Sequence, residues 1–507
     1  MALGFNRLPL MVYMMAVTSV LMLVPAIHAV VIQDIYVAQV FFYSGLLFGF
    51  LTLFLAIAMN GRPASGFSRV HLLALLGIFT LLPVMMAVPV HQALRDTSFL
   101  NAYVEMVSSL TTTGATLFEG PGRLPPSVHL WRALVGWLGG LIMWVGAIAI
   151  LAPMALGGFE VRAASGAGGA FSNSLSQGTG GAGMDARIRT YALRLAPIYA
   201  GLTTILWIAL LLAGDTSLVA LTHAMSTMAT SGISAVGGLS GGGAGIMGEV
   251  LVALFLIFAV SRLAFVRDGR AGDTRNFLAD PEVRLAFSLV AVVTVFLLLR
   301  HWWGAYEVDE VLDLSLGLQA AWGTAFTLFS FLTTAGFESA FWNTGQDWSG
   351  LQTPGLVLMG LALVGGGVAT TAGGAKLLRV YALFKHSERE LERLVNPHSV
   401  GGAGDEARHI RSQGAYLSWL FFMLMAMSVA GFMAAFSLTG EGFETSMVLT
   451  IAALTTTGPL AALAAPEPIS YALLPVAAKL ILTAAMVVGR LETLAIVALL
   501  NPDIWRR

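Results

Sequence analysis

Four times along this chain an apolar run ends in a short turn that carries threonine or serine beside glycine: Thr112-Thr113-Gly114-Ala115, Thr230-Ser231-Gly232-Ile233, Thr334-Ala335-Gly336-Phe337 and Thr456-Thr457-Gly458-Pro459. The glycines are 118, 104 and 122 residues apart, and another apolar run follows each, so the chain reads as four divergent copies of one unit. Four copies can surround one axis. Glycine-bearing loops around an axis are what a selective cation pore requires, because backbone carbonyls must there replace the water around the ion. Ion permeation is therefore the first function to consider.

The medium follows from composition. Of 507 residues, 57% are hydrophobic and 11% charged, against about 25% charged in a soluble domain, which places the chain in a lipid bilayer. Cysteine is absent and the nine histidines show no metal-ligand spacing, so a disulfide framework and a thiolate metal site are excluded. A formal net charge of -1 argues against a nucleic-acid partner.

Stretches of about 20 apolar residues, enough to cross a bilayer, run over 8–31, 38–59, 69–90, 130–156, 191–213, 246–266, 284–303, 354–384, 414–438 and 475–500. Ten crossings are expected. Four shorter segments, 98–113, 217–230, 314–334 and 443–457, precede the glycine turns and are expected to be re-entrant half-helices. The segment Ala26-Ile27-His28-Ala29 loosely matches a signal-cleavage pattern, but the apolar run before it exceeds the usual core of about 7 to 15 residues, so it is read as a retained span. Arginine and lysine concentrate in alternate loops, from Arg62 and Arg69 through Arg267, Arg270 and Arg275 to Lys385, Arg389 and Arg393. The positive-inside rule then puts both termini in the cytoplasm and the glycine turns on the outer side. The expected divisions are two leading spans (1–60), a first pore repeat (61–157), a Gly- and Ser-rich cytoplasmic linker (158–190), a second repeat (191–270), a third (271–384), a charged cytoplasmic segment (385–412) and a fourth repeat (413–507).

Glycine takes positive φ at little steric cost and lets consecutive carbonyls turn to one axis, which makes Gly114, Gly232, Gly336 and Gly458 the leading site residues. The half-helices aim the negative ends of their dipoles at the same place, so a cation is favoured and an anion disfavoured. Flanking hydroxyls, with Ser231 and Ala335 replacing threonine in two copies, can tie the turns to neighbouring backbone. The third repeat contains Gly365, Gly366, Gly367, Gly373 and Gly374 inside one apolar stretch, with Thr370 and Thr371 between them and Lys376 just beyond. Broken backbone at membrane depth is tolerated only where it lines a cavity or is buried in protein. Arg490 lies deep in the last apolar stretch, where a charge costs about 2.5 to 3.5 kcal/mol and normally faces a cavity or a partner. Below a cation filter it acts as an electrostatic barrier or orients a gate. Lys479 is read as a snorkelling anchor, Glu105 and Glu444 as braces or vestibule charges, His223 as structural, and Trp131, Trp137, Trp302, Trp303 and Trp505 as interfacial belts.

With the four turns, the run from Gly365 to Lys376 and the segment Gly489-Arg490-Leu491-Glu492, the chain resembles the Trk/Ktr/HKT superfamily of potassium transporters over nearly its whole length. The two leading spans resemble the Trk-type membrane subunit. The resemblance implies an all-α polytopic membrane protein with four pseudo-symmetric helix, pore-loop, helix repeats around one pore, in the bacterial inner membrane. It implies a K+ selectivity filter at Thr112, Thr113, Gly114, Thr230, Ser231, Gly232, Thr334, Ala335, Gly336, Thr456, Thr457 and Gly458, since glycine in all four loops goes with potassium in that family. It further implies a gate formed by the Gly365–Gly374 run, Lys376 and Arg490, a homodimer, and a cytosolic regulatory subunit that binds NAD or ATP. No nucleotide motif is present on this chain, which is expected not to be an enzyme. A sodium-conducting or mixed relative and a non-conducting membrane scaffold are the alternatives.

Overall fold

The computed structural model describes residues 9–59, 68–154, 156, 158–159, 184–261, 280–305, 314–350, 353–396, 412–465, 467–493 and 496. Their regular structure is helical throughout. Apolar runs in lipid must satisfy every backbone group internally, and helix is the form that does so segment by segment. Among the described residues, seven helices are long and apolar enough to cross unaided: Leu10–Val31, Ile35–Met59, Val70–Ala93, Pro126–Met154, Ala186–Ala213, Pro281–Arg300 and Gly414–Ser437. Three further expected crossings are shorter or broken, at Gly245–Ala259, at Gly355–Val364 followed by Leu377–Val395, and at Val476–Leu491.

The expected half-helices are present as Phe99–Leu110, Ser217–Ala229, Leu314–Leu332 and Phe443–Leu454. Burial separates centre from periphery. Of the apolar window in Pro126–Met154, 83% is buried, against 17% in Gly414–Ser437, so the first repeat's second span is packed on all sides and the fourth repeat's first span faces outward. The leading helices rest on the first repeat, where the Phe41 ring meets Trp131 edge-on at 5.7 Å and His28 Nδ1 lies 2.8 Å from Ser127 Oγ. Their other face presents Phe42, Leu47, Phe50 and Phe54, the composition expected toward acyl chains.

Packing corrects three expectations. Trp131 is a core residue, 1% exposed, whose indole N–H donates to the Met86 carbonyl at 3.2 Å, so it belongs to no interfacial belt. Lys479 does not snorkel, because its ammonium donates to Asn101 Oδ1 at 3.1 Å and to the Ala472 carbonyl at 2.9 Å, linking the last span to the first half-helix. The last span, expected to run unbroken to residue 500, is interrupted at Glu492, which turns at φ 65° two residues after Arg490. The Gly-rich part of the linker (160–183) and Gly401 to Gly404 lie outside the described residues.

Repeats one and four share a packing device. A methyl group on Gly139 would stand 1.9 Å from the Leu110 carbonyl oxygen, and one on Gly489 would stand 2.4 Å from the Leu454 oxygen. In both, the second span crosses the C-terminus of its own half-helix against bare backbone, which seats the following turn. Gly139→Val and Gly489→Val are each expected to destabilise the protein by about 1 to 3 kcal/mol or more through overpacking, measured as a lower melting temperature in detergent, while Gly49→Val, at a glycine with open space around it, leaves it unchanged.

Candidate functional site

Each half-helix ends in the same hydrogen-bonded turn. Thr113 N–H reaches back to the Ser108 carbonyl at 2.8 Å and Thr112 N–H to Ser109 at 3.0 Å. The counterparts are Ser231 to Ser226 (3.0 Å) with Thr230 to Thr227 (3.2 Å), Ala335 to Ser330 (2.9 Å) with Thr334 to Phe331 (3.1 Å), and Thr457 to Ala452 (2.8 Å) with Thr456 to Ala453 (3.2 Å). This is the Schellman pattern, whose first residue beyond the helix adopts left-handed backbone and is usually glycine. Here it is threonine every time, at φ 56° for Thr112, 51° for Thr230, 57° for Thr334 and 54° for Thr456. A β-branched residue at positive φ is a genuine outlier, costing about 1 to 3 kcal/mol and persisting only where the surroundings over-determine it. Sequence reading assigned the unusual backbone to the glycines and missed these four; the threonine two residues ahead of each glycine was the available signal.

The four turns close a ring. A methyl on Gly114 would stand 1.9 Å from the Ser231 carbonyl oxygen, and one on Gly232 2.6 Å from that of Ala335. One on Gly336 would stand 2.8 Å from Pro459 Cγ, and one on Gly458 2.7 Å from the Thr113 oxygen. Each turn thus presses on the next and the fourth returns to the first. Gly114, Gly232 and Gly336 take positive φ of 71°, 65° and 74° as expected. Gly458 does not: among the described residues its φ is outside the positive set, its N–H donates to the Thr113 carbonyl at 2.6 Å, and its carbonyl accepts from the Tyr471 hydroxyl at 2.8 Å. The expectation of one backbone form for all four glycines is corrected there.

Under the ring lies the Gly-rich break. The span ends at Val364, Gly365 turns at φ 73°, and helix resumes at Leu377. The returning strand of the loop pairs with the outgoing one, Ala375 N–H to the Leu363 carbonyl and Lys376 N–H to that of Val364, each at 2.9 Å. Gly366 and Gly367 admit no side chain, since methyl groups there would stand 2.6 Å from the Ala259 oxygen and 1.9 Å from that of Val260. Gly373 N–H donates to Thr334 Oγ1 at 2.7 Å, Thr371 Oγ1 donates to the Met228 carbonyl at 3.1 Å, and a methyl on Gly373 would stand 2.3 Å from Thr456 Oγ1. The segment therefore touches three of the four turns from below. Thr370 Oγ1 donates to Gly367 O at 2.8 Å, and the Lys376 ammonium caps the Ala372 carbonyl.

Arg490 reaches this segment from the last span. Its Nη1 donates to the Thr371 carbonyl at 2.8 Å; the side chain is 3% exposed, and Nε and Nη2 make no hydrogen bond to the described protein. Glu492 is not its partner, being paired with Arg379 at 2.8 Å, whose guanidinium lies over Phe421 at 3.7 Å.

Buried carboxylates hold the limbs that run from the ring back beside the half-helices. Glu105 pairs with Arg132 at 2.6 Å and accepts Leu117 N–H at 2.8 Å. Glu249 accepts the Trp322 indole, the Ser339 hydroxyl and the Ala340 N–H, all at 2.7 Å. His223 Nε2 lies 2.9 Å from Ser234 Oγ, which gives it the structural role expected. Glu444 is exposed, which fits the vestibule charge and not the brace of the two expected roles. Glu249 was legible as a carboxylate inside an apolar run, which in a membrane normally has an assigned partner.

Comparison with known proteins places these features in a family. A family model described as TrkH, cation transport protein, matches residues 250–504. The Trk system potassium uptake protein TrkH of Halomonas elongata is 31% identical over 441 residues, covering 86% of this chain and 84% of that protein. The protein of the same name from Salmonella typhimurium is 30% identical, covering 80% and 79%. The crystal structure of the potassium transporter TrkH from Vibrio parahaemolyticus matches with a TM-score of 0.80 and 25% identity over 99% of each chain.

Removal of the Glu249 carboxylate strands three donors. Glu249→Leu is expected to lower the melting temperature by the equivalent of about 1 to 3 kcal/mol for each donor left dry, and Trp322→Phe, which removes one donor and leaves the carboxylate its other two, by less.

Proposed function

The chain belongs to the TrkH family of cation transport proteins, and on that premise we propose that it carries out potassium uptake across the bacterial inner membrane through the ring of four turns. The single observation that carries this reading is the closed ring of close backbone approaches, each turn seated by a left-handed threonine. Such a ring presents main-chain oxygen to a dehydrated monovalent cation, with four helix C-termini adding negative potential. The filter residues are those of the four turns: Thr112, Thr113 and Gly114; Thr230, Ser231 and Gly232; Thr334, Ala335 and Gly336; Thr456, Thr457 and Gly458. Relatives named for potassium uptake support the choice of ion.

Potassium strips its water at the outer face and passes inward until it meets the Gly365–Gly374 segment. That segment is the gate, held by Thr334 and Thr371 against the underside of the ring, and opening requires those bonds to break. Arg490 holds it through the Thr371 carbonyl and places a positive charge on the path. An inside-negative potential supplies about 2.3 kcal/mol per charge per 100 mV, enough to draw the cation in without covalent chemistry. The family resemblance supports a homodimer regulated by a cytosolic subunit that binds NAD or ATP, and the arginine and lysine distribution supports cytoplasmic termini.

The test is uptake in cells that lack their own potassium transporters. The chain is expected to restore growth on limiting potassium, and Gly232→Val to abolish it while reaching the membrane in normal amount; restoration of sodium uptake instead would contradict the choice of ion. Arg490→Ala is expected to raise the potassium flux by up to about tenfold, the factor for about 1.4 kcal/mol of barrier, read as initial rubidium uptake. An unchanged or abolished flux at normal expression would remove the barrier role.

A further inference from the structure

The fourth turn departs from the other three in a way that bears on the ion. In the first and second turns the space beside the glycine Cα is filled by the carbonyl oxygen that precedes the next glycine: Ser231 O beside Gly114 and Ala335 O beside Gly232. Beside Gly336 stands the pyrrolidine ring of Pro459, with Cγ, Cδ and Cβ at 2.8, 3.0 and 3.1 Å from where a methyl would be. The same Cγ stands 2.8 Å from a methyl built on Gly232, and Cδ stands 3.5 Å from it. Gly232 belongs to the turn opposite the fourth in the ring, so this one side chain reaches across from its own turn to the facing one. It is held in that position from three sides. Gly458 N–H is bonded to the Thr113 carbonyl at 2.6 Å, Gly458 O to the Tyr471 hydroxyl at 2.8 Å, and Pro459 itself starts the short helix Leu460–Leu463. Tyr471 is buried, 6% exposed, while Pro459 is half-buried.

We propose that Pro459 is a specificity-determining residue of this pathway: an apolar wedge, locked by Tyr471 and Thr113, that narrows the ring and limits the size of cation that passes. The proposal rests on the reading of the four turns as the filter. Pyrrolidine carbons offer no lone pair to a cation, so where the ring stands an ion finds carbon in place of a fourth oxygen. The Gly458 and Thr113 carbonyls each accept one donor, which leaves each a single lone pair for an ion. A passage into which a rigid ring reaches, from the fourth turn to the second and third, admits a small dehydrated cation more readily than a large one, and the exclusion is steric. Size discrimination of this kind differs from selection by the number of carbonyl dipoles, which the other three turns supply.

The full chain in liposomes tests this, with potassium and caesium influx measured side by side under an imposed inside-negative potential. Pro459→Ala and Pro459→Ser both remove the ring, and at φ -57° either residue fits the backbone without strain, with the melting temperature of each checked against the parent. Both are expected to raise the ratio of caesium to potassium influx by about tenfold, the discrimination that one methylene supplies in a closely fitting site. Gly232→Val serves as the control on the filter itself. If the ratio is unchanged in both proline variants while Gly232→Val is inactive, the wedge is wrong and the filter reading stands. If Gly232→Val transports like the parent protein, the filter reading fails and the wedge falls with it.

Discussion

The left-handed threonine at the end of each half-helix is the constraint on which the rest depends. A helix that stops inside a membrane must dispose of its last carbonyls without water, and the Schellman turn does so by folding the next two N–H groups back onto them. The turn requires positive φ, and this chain meets the requirement with Thr112, Thr230, Thr334 and Thr456 in place of the glycine that would relieve the strain. Strain of about 1 to 3 kcal/mol per site, repeated four times, is held by the closed contacts between neighbouring turns and by the second spans behind them. Each hydroxyl is thereby fixed at the inner edge of the ring. Thr334 uses its hydroxyl to hold the segment below, while Thr112 and Thr456 keep buried hydroxyls without a hydrogen-bond partner among the described residues.

The ring and the Gly-rich segment are physically continuous. The Gly-rich segment is fastened to the second and third turns by hydrogen bonds and pressed against the fourth, and Arg490 fastens it from the last span. Motion of that segment therefore changes the hydrogen bonding of the threonines that shape the ring. The positive charges concentrate on the same side: Lys376 is turned back on the Ala372 carbonyl, and Arg379 is neutralised by Glu492 and covered by Phe421. Arg490 alone of these three has nitrogens without a hydrogen-bond partner among the described residues, although the residue is only 3% exposed.

Much of this was legible in the sequence, and the omissions have physical causes. The half-helices, seven of the ten expected crossings as long apolar helices and three as shorter or broken ones, and the Gly-rich break follow from hydrophobic length and glycine placement, which act locally. Glycine spacing pointed to the ring because close backbone approach excludes any side chain, and Gly114, Gly232 and Gly336 bear that out. The strained threonines showed in the sequence only as a residue recurring two positions ahead of each glycine, because threonine itself does not favour positive φ and the hydrogen bonds of the turn impose it. Tyr471 bonds Gly458 across a loop of its own repeat and Glu249 reaches about ninety residues into the next repeat, and neither partner is marked by local composition. Lys479 looked like an anchor because its composition fits one, and the acceptors that bury it, Asn101 Oδ1 and the Ala472 carbonyl, come from the first repeat and from an outer loop.

The account stands or falls on whether a bare monovalent cation sits inside the ring. Anomalous diffraction from crystals grown with rubidium in place of potassium measures this directly. The prediction is at least one rubidium peak on the axis enclosed by Gly114, Gly232, Gly336 and Gly458, at coordination distance from main-chain oxygens. Rubidium bound only elsewhere, with the ring free of anomalous density at saturating concentration, would contradict it.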